Sequence, residues 1–333
     1  MVEALPLIRS VCLNDIDAVL RLAQAGGSGL TNLPPDRDAL TRRIEAAVRA
    51  IADPAARQEG AAIMLVAEHG GAIVATGMIF ARVGAEWPFY SYRVTRQAAV
   101  SRAIGRTKEQ RLLNLVNDFD GETEVGGLFV DTAQRGLAIG RAMARSRYLF
   151  IARHRDWFGR RVIAELRGWQ DSEGRSPVWD AIGRHFYDMD FQEADRTGAI
   201  QGNQFIADLG PRYPIYMSML PEPARTALGR PHDDGRPARD MLLSEGFCDD
   251  GYVDIFDGGP TLVAEIDAVR SVRDMTAVTL ADIGSGGGRV LACAGKGANF
   301  RVAAGGLTGT TIDETLARAL GVGPGDEIGV VPA

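Results

Sequence analysis

The stretch "LFVDTAQRGLAIGRAM", residues 128–143, decides the fold of this chain. An apolar strand runs into a loop of small residues, and the loop runs into a helix. Gly126 and Gly127 precede the stretch, and two glycines inside a strand predict a bulge or a splayed edge. A strand, loop and helix in this order present backbone N–H groups and the positive end of a helix dipole to an anion.

The anion that suits this loop follows by elimination. Residues 135–140 read R-G-L-A-I-G, which lacks the G-x-G-x-x-G of a dinucleotide-binding loop. Arg141 and Ala142 follow the last glycine, where a P-loop carries Lys-Ser or Lys-Thr. The loop instead suits a pyrophosphate such as that of coenzyme A, and the N–H near Leu128 then points at a thioester carbonyl. The alternative interpretation is an ordinary strand–loop–helix junction without a ligand.

Strands and helices alternate on the amino-terminal side of this junction. Residues 6–11 predict a strand, and residues 16–24 and 37–51 predict amphipathic helices. The His-Gly-Gly-Ala sequence at 69–72 lies between two apolar runs and predicts a hairpin. Residues 84–121 show no clear periodicity, and long irregular segments of this kind often line sites.

The carboxyl-terminal side continues the alternation. Residues 160–168 predict a strand, 176–186 a short helix and 205–209 a further strand. Residues 221–237 contain four prolines and predict a linker or loop, after which a helix and a strand follow. The order of elements predicts an α/β (α+β) fold, in which a mixed sheet is flanked by helices.

The length of 333 residues and a hydrophobic fraction of 46% predict two domains. We place the core domain at 1–220 and a carboxyl-terminal region at 221–333. The latter divides into a helix–strand unit that ends at about residue 272 and a glycine-rich small β subdomain over 273–333.

Charge and composition exclude several classes of protein. The 37 Lys and Arg against 43 Asp and Glu give a net charge of −6, which disfavours a nucleic-acid partner. The three cysteines are far apart, so they predict neither a disulfide framework nor a zinc site. The sequence shows no targeting segment and no apolar run of membrane-spanning length. We therefore expect a cytoplasmic protein with no membrane contact.

The junction resembles motif A of the GNAT-type acyl-CoA N-acyltransferases, with Ala138 where glycine is commoner. Four further stretches resemble the arginine N-succinyltransferase family: "GLTNLPPD" (29–36), "SPVWDAIGRHFYDMDF" (176–191), "FIADLGPRYPIY" (205–216) and "GYVDIFDGGPTL" (251–262). The resemblance runs from the first strand to about residue 272, and its most specific parts are "DIFDGGPT" and "RYPIY". It implies a GNAT-like fold for the core.

The resemblance also implies a reaction and a site. The family transfers a succinyl group from succinyl-CoA to the α-amine of L-arginine in arginine catabolism. His232, in the G-x-x-H sequence that begins at Gly229, aligns with the family's acid/base histidine, and Asp233 stands where the family usually has proline. Leu128 aligns with a succinyl-CoA-contacting position. The residues expected to bind the acyl donor are Leu128, Phe129, Val130, Arg135, Gly136, Ala138 and Gly140.

The chemistry of acyl transfer agrees with a histidine in this role. The reaction needs a proton taken from the amine, a stabilised oxyanion and a proton for the thiolate. Of the four histidines, His232 alone lies in a proline-rich loop. No Cys or Ser lies in a recognisable nucleophile motif, so we expect direct attack on the thioester. We expect no metal and no cofactor, with succinyl-CoA as a co-substrate.

Charged residues provide candidates for substrate recognition. A guanidinium needs carboxylates, because it has five donors and no acceptor. The carboxylate candidates are Glu165, Asp188, Asp190, Asp254 and Asp257. For the succinyl carboxylate the candidates are Arg93 and Arg167, and for a coenzyme A phosphate they are Arg141 and Arg145.

Three other interpretations remain open. The first is an acyltransferase for ornithine or another amine, and the second is a non-catalytic partner subunit or acyl-CoA sensor. The third rests on "ADIGSGGGRVL" at 281–291, which looks like the glycine loop of an S-adenosylmethionine methyltransferase. Only 45 residues follow Gly288, too few for the rest of that sheet, so a glycine-rich surface loop is preferred. The sequence leaves homo- or hetero-oligomerisation undecided.

Overall fold

The computed structural model describes residues 6–26, 33–134, 138–201 and 204–333. Its contacts divide the chain into two compact units. The first unit comprises Met1–Arg82, Thr123–Arg160 and Glu265–Ala333, and the second comprises Val83–Glu122 and Arg161–Ala264. The sequence analysis placed a domain boundary after residue 220. The two units are defined by contacts and not by independent folding, so that boundary stays a prediction.

The described residues form sixteen strands and twelve α-helices. The strands are β1 (Leu7–Ser10), β2 (Ala62–His69), β3 (Ala72–Phe80), β4 (Ser91–Ser101), β5 (Arg106–Val116), β6 (Thr123–Val130), β7 (Arg161–Glu165), β8 (Ile215–Tyr216), β9 (Cys248–Val253), β10 (Pro260–Glu265), β11 (Thr276–Thr279), β12 (Asp282–Gly284), β13 (Gly288–Ala294), β14 (Arg301–Thr308), β15 (Thr311–Asp313) and β16 (Glu327–Pro332). The helices are α1 (Ile16–Gly26), α2 (Arg37–Ala52), α3 (Pro54–Gln58), α4 (Ile139–Arg153), α5 (Pro177–Ala181), α6 (Gly183–Tyr187), α7 (Phe191–Gln201), α8 (Gln204–Leu209), α9 (Glu222–Ala227), α10 (Arg236–Ser244), α11 (Arg270–Arg273) and α12 (Glu314–Leu320).

The first unit is built on an antiparallel sheet in the order β11-β16-β13-β14-β1-β2-β3-β6. A short parallel pair, β12 and β15, attaches to it through β14. The expected carboxyl-terminal strands are therefore present. They extend the amino-terminal sheet, because β14 pairs with β1 at Ile8 opposite Val302.

Helices cover both faces of this sheet. Met78 packs with apolar residues of α1 and α2, including Val19 and Ile44. Its neighbour Gly77 faces α4, where a Cβ atom at position 77 would lie 3.0 Å from the sulfur of Met143. Successive residues of a strand point to opposite faces, so β3 separates the two helical layers. Helices and a mixed set of strands thus confirm the α/β class expected from the sequence.

The hairpin expected at residues 69–72 is confirmed. His69 pairs with Ala72, and the chain turns through Gly70 and Gly71. Both glycines have positive φ angles, 58° and 78°, which a two-residue hairpin turn requires and which side chains disfavour.

The second unit contains strands in the order β7-β10-β9-β4-β5-β8. The expectation that residues 84–121 are irregular was wrong, because β4 and β5 pair over eleven residues each, from Ser91 opposite Val116 to Ser101 opposite Arg106. Most of the outer half of this ribbon is exposed. With little buried surface to cover, the sequence there carries little of the alternation that marks a half-buried strand.

Two further expectations in the second unit were wrong. Residues 205–209 were expected to be a strand but belong to α8, in which Ile206 is the buried side chain. Residues 221–237 were expected to be a linker but contain α9. Pro223 is compatible with the first turn of that helix, and Ala224 and Ala227 lie three residues apart on one buried face.

The core of the second unit centres on Trp179, which is fully buried. Its ring stacks on Tyr187 at a centroid distance of 5.4 Å and on Phe256 at 5.6 Å. Its indole N–H donates to the carbonyl of Met189 at 2.9 Å. This packing joins α5 and α6 to the segment that contains "DIFDGGPT".

Among helices of the described residues, none has both the length and the apolar character needed to span a membrane.

Candidate functional site

The bulge predicted at the glycine pair is present in β6. Thr76 pairs with Phe129 and Met78 with Gly126, so Gly127 and Leu128 together face the single residue Gly77. Gly127 has a φ of 55°, and a Cβ atom there would lie 2.9 Å from a side-chain carbon of Met78. Both observations explain why this position is glycine. The bulge interrupts the ladder at Leu128, the residue expected to contact the acyl donor.

Side chains from two elements hold the bulge in place. The hydroxyl of Thr76 donates to the carbonyl of Gly127 at 3.3 Å. Arg147, on α4 and almost fully buried, donates to the carbonyl of Gly126 at 3.1 Å. Burial lowers the pKa of Arg147. The geometry of the bulge is therefore fixed before any ligand binds.

Glu124, which the sequence analysis did not indicate, is a candidate to accept a proton. It lies on β6 two residues before the glycine pair, and burial raises its pKa to about 7, while the charge of Arg147 opposes that shift. A carboxyl whose pKa is raised by burial binds a proton more readily than an exposed carboxyl does. The signal in the sequence was an acidic residue inside an otherwise apolar strand.

The loop after β6 is described only at its two ends. Arg135 and Gly136 lie outside the described residues. Ala138 caps α4 in the left-handed conformation, with a φ of 55°, which accounts for glycine being commoner there. A Cβ atom at Gly140 would lie 3.6 Å from Val130, so the start of α4 approaches the end of β6.

The remaining donor-site candidates differ in orientation. Phe129 is partly buried and packs against the apolar cluster of α1 and α2, so its side chain is directed towards the core. Arg145 donates to the hydroxyl of Ser271 at 3.1 Å. Arg141 is exposed, one turn before Arg145 on α4, and its contact with a coenzyme A phosphate stays a prediction.

His232 lies in the second unit at the end of a short antiparallel pairing. Its backbone N–H donates to the carbonyl of Arg167 at 2.7 Å, and Gly168 forms a bridge with Pro231. The imidazole Nδ1 accepts the backbone N–H of Asp234 at 3.3 Å. In the neutral ring the proton then lies on Nε2, the nitrogen that remains available to a substrate.

Asp233, which replaces the proline usual in the family, starts a short 3₁₀ turn after His232. Its carboxylate lies 2.8 Å from Arg236 and 3.6 Å from Arg230. Two ion pairs therefore fix this turn, where proline restricts the backbone in the usual sequence.

The "DIFDGGPT" segment forms hydrogen bonds with the residues that hold the His232 loop. The buried carboxylate of Asp257 accepts N–H groups from Gly168 at 2.7 Å and Gly259 at 2.9 Å. The carbonyl of Gly258 accepts the N–H of Gly229 at 2.8 Å. Side chains at positions 168 and 259 would overlap neighbouring backbone, so both glycines are required for this close approach.

The structure commits most of the carboxylate candidates to structural roles. Asp254 accepts the N–H groups of Phe256 and Asp257, and burial together with the charge of Asp257 raises its pKa. Asp190 caps α7 by accepting the N–H of Glu193. Glu165 accepts the hydroxyl of Thr261, whereas Asp188 is exposed at the end of α6. None of these arrangements selects a guanidinium.

A cavity of about 650 Å³ opens in the second unit beside Trp169. Its lining combines prolines and other apolar groups with His185 and the charged side chains of Asp171, Arg175 and Asp180. Arg175 pairs with Asp171 at 2.9 Å, so Asp180 is the remaining carboxylate among the described residues of the lining. Within the described part of the chain, no group of three or more His, Cys, Asp or Glu is placed to hold a metal ion.

The stretch 281–291 does not form a methyltransferase loop. It contains β12 and the start of β13, so it connects two strands instead of a strand and a helix. The preferred interpretation as a glycine-rich connection agrees with this geometry. Gly286 contacts the backbone of Gly306 so closely that a side chain there would overlap it.

The chain is similar to known proteins along most of its length. A model of the family described as arginine N-succinyltransferase beta subunit matches residues 6–271. Arginine N-succinyltransferase subunit beta of Pseudomonas aeruginosa is 38% identical over 275 residues, which cover 83% of this chain and 81% of that protein. Arginine N-succinyltransferase of Yersinia pseudotuberculosis is 37% identical over an alignment of 343 positions, which covers 97% of each chain.

A solved structure is similar over nearly the whole chain. It is that of arginine/ornithine succinyltransferase subunit AI from Pseudomonas aeruginosa, with a TM-score of 0.86 and 30% identity. The match covers 99% of each chain, so it includes the carboxyl-terminal strands that the family model leaves out.

Proposed function

The chain belongs to the arginine N-succinyltransferase family, and from this membership we propose that it transfers a succinyl group from succinyl-CoA to the α-amine of L-arginine. The enzyme is an acyltransferase of arginine catabolism. The α-amine attacks the thioester carbonyl carbon directly, and the C–S bond of the tetrahedral intermediate breaks. The attacking nitrogen loses a proton, and the thiolate of coenzyme A takes one up.

The bulge at Gly127 and Leu128 is the observation that carries this proposal. A fixed interruption of the ladder, directly before a loop and a helix, leaves backbone N–H groups for the carbonyl of an acyl donor. The donor binds along Leu128, Phe129 and Val130 and at the start of α4, at Ala138 and Gly140. Arg135 and Gly136 complete the donor-binding set in the proposal.

His232 is the proposed acid/base residue. The protonated ring, whose Nδ1 lies 3.7 Å from the carboxylate of Asp234, gives its Nε2 proton to the leaving thiolate, and the proton lost by the attacking amine restores it. The apolar part of the cavity beside Trp169 suits the aliphatic chain of L-arginine, and Asp180 in its lining is the candidate partner for the cationic end. The proposal needs no metal, no cofactor other than the co-substrate, and no nucleic-acid or membrane partner.

Ornithine is a second candidate acceptor. The solved relative from Pseudomonas aeruginosa is named an arginine/ornithine succinyltransferase, which favours testing both amines. Two matches are described as subunits, so we also propose a homo- or hetero-oligomer that works in the cytoplasm. A non-catalytic partner subunit is the alternative within such an assembly.

The decisive experiment measures thiol release from succinyl-CoA by the purified protein. Release that requires both succinyl-CoA and L-arginine supports the proposal, and acetyl-CoA and ornithine serve as comparison substrates. Binding of succinyl-CoA without release in the presence of any amine would instead identify a partner subunit or a sensor.

A further inference from the structure

Residues 167–169 and 230–232 form a short antiparallel ladder in the second unit. His232 donates its backbone N–H to Arg167, Trp169 donates to Arg230, and Gly168 bridges Pro231. In such a ladder Arg167 lies directly opposite His232, with Cβ atoms about 5 Å apart.

One face of this ladder carries the functional side chains. Alternate residues of a strand share a face, so Arg167 and Trp169 lie on the same side as Arg230 and His232. The guanidinium of Arg230 lies 5.0 Å from the ring of Trp169, as a shared face requires. Gly168 points the other way, towards Asp257.

The guanidinium of Arg167 is held in one direction by a hydrogen bond, and no described carboxylate neutralises its charge. Its side chain is exposed, and its guanidinium donates to the side-chain oxygen of Gln170 at 2.6 Å. Gln170 is 8% exposed and uncharged, so it fixes the direction of the guanidinium and leaves its charge intact. Across the described residues, no carboxylate lies within ion-pair distance of Arg167.

Two other arginines of the second unit already have partners. Arg230 has Asp233 at 3.6 Å and the face of Trp169. Arg93 has Asp118 at 3.3 Å and the ring of Tyr252 at 5.0 Å. An oriented arginine that keeps its charge is the arrangement that recognises a carboxylate by two parallel hydrogen bonds.

We propose that Arg167 binds a substrate carboxylate opposite His232, an inference that rests on the proposed function. Two carboxylates are available in that reaction. One is the distal carboxylate of the succinyl group, two methylenes from the thioester carbonyl, and the other is the α-carboxylate of arginine, one carbon from the attacking amine. Both lie within a few bonds of the reacting atoms, so a cation opposite the acid/base residue can reach either.

Substrates that lack one carboxylate separate the two sources. Acetyl-CoA lacks the distal carboxylate, and argininamide lacks the α-carboxylate. If Arg167 binds the succinyl group, Arg167→Met lowers kcat/KM for succinyl-CoA about 10- to 100-fold and leaves the rate with acetyl-CoA unchanged. If it binds the amino acid, the same loss appears with arginine and not with argininamide. Arg167→Lys keeps the charge without the planar fork and recovers part of the loss.

The control is Arg225→Met, which removes an exposed arginine paired with Glu222 on α9 and is expected to change none of these ratios. An equal loss with all four substrates, or no loss, overturns the proposal. Thiol release by the wild-type protein tests the proposed function separately. If none occurs, equilibrium binding of succinyl-CoA and acetyl-CoA, and of arginine and argininamide, decides the role of Arg167: a loss confined to one carboxylate-bearing ligand supports it, and unchanged affinities overturn it.

Discussion

At the scale of single residues, two positions bear on the proposed reaction: His232 through its side chain and Ala138 through its backbone conformation. His232 is held by its backbone to Arg167 and by its ring to the N–H of Asp234. Ala138 adopts a left-handed conformation at the start of α4. The first position bears on the chemistry and the second on how the donor loop is held.

Replacing His232 by alanine is expected to reduce turnover by about 10²- to 10⁴-fold, because the leaving thiolate and the amine lose their proton-transfer partner. Steady-state kcat, measured beside a circular dichroism spectrum, checks this. Succinyl-CoA affinity should change little. A folded variant with wild-type turnover would remove His232 from the mechanism.

Replacing Ala138 by glycine is expected to stabilise the protein by up to about 1 kcal/mol, because glycine adopts a positive φ without a steric penalty. Urea unfolding of both proteins measures this difference. Ala144→Gly is the matched control. Ala144 lies inside α4, so glycine there should lower the free energy of unfolding by about 1 kcal/mol. Equal destabilisation of both variants would contradict the left-handed conformation at 138.

At the scale of elements, the "DIFDGGPT" segment and the His232 loop act together. Asp257 accepts the N–H of Gly168, and Gly168 pairs with Pro231, next to His232. The most family-specific motif in the sequence therefore supports the loop that carries the proposed acid/base residue.

Asp257→Ala is expected to lower the free energy of unfolding by about 1–3 kcal/mol, because it leaves two buried N–H groups without an acceptor. It should also reduce kcat more than it changes succinyl-CoA affinity. Denaturant unfolding and steady-state kinetics measure the two effects. Asp249→Ala is the control, since Asp249 accepts the N–H of Gly251 in the exposed part of β9. Similar small effects from both variants would deny Asp257 this supporting role.

At the scale of each unit, buried contacts join distant parts of the chain. In the first unit, His154 directly after α4 accepts the N–H of Gly297 at 2.8 Å, and the hydroxyl of Ser10 donates to the carbonyl of Gly297. The ring of Phe300 lies 4.9 Å from Phe150. These contacts anchor the carboxyl-terminal strands to α4 and β1.

The stability of the first unit should depend on pH through His154. Burial lowers the pKa of His154 to about 4, against about 6.5 in the unfolded chain. The folded state thus binds fewer protons, and stability rises with pH from about 4 to about 6.5, by about 3 kcal/mol at most. Urea unfolding at pH 5 and 7.5 measures this change. His154→Gln should flatten this dependence, whereas His185→Gln, an exposed control, should retain it.

The sequence by itself determined the local features. The hairpin at 69–72 follows from two glycines between apolar runs, and the bulge follows from the pair at 126 and 127. The strand that ends at Val130 and the helix that begins at Ile139 follow from periodicity. Each depends on backbone preferences within a few residues, and the local order of residues encodes those preferences directly.

Only the tertiary structure decided which distant residues meet. The pairing of β14 with β1, the burial of His154 and the support of Asp257 beneath Gly168 each join segments dozens to hundreds of residues apart. Arg167 and Arg93 were equal candidates in the sequence, and a bridge between residues 168 and 231 set one of them opposite His232. Strand register and burial depend on packing across the whole unit, so local preferences cannot specify them.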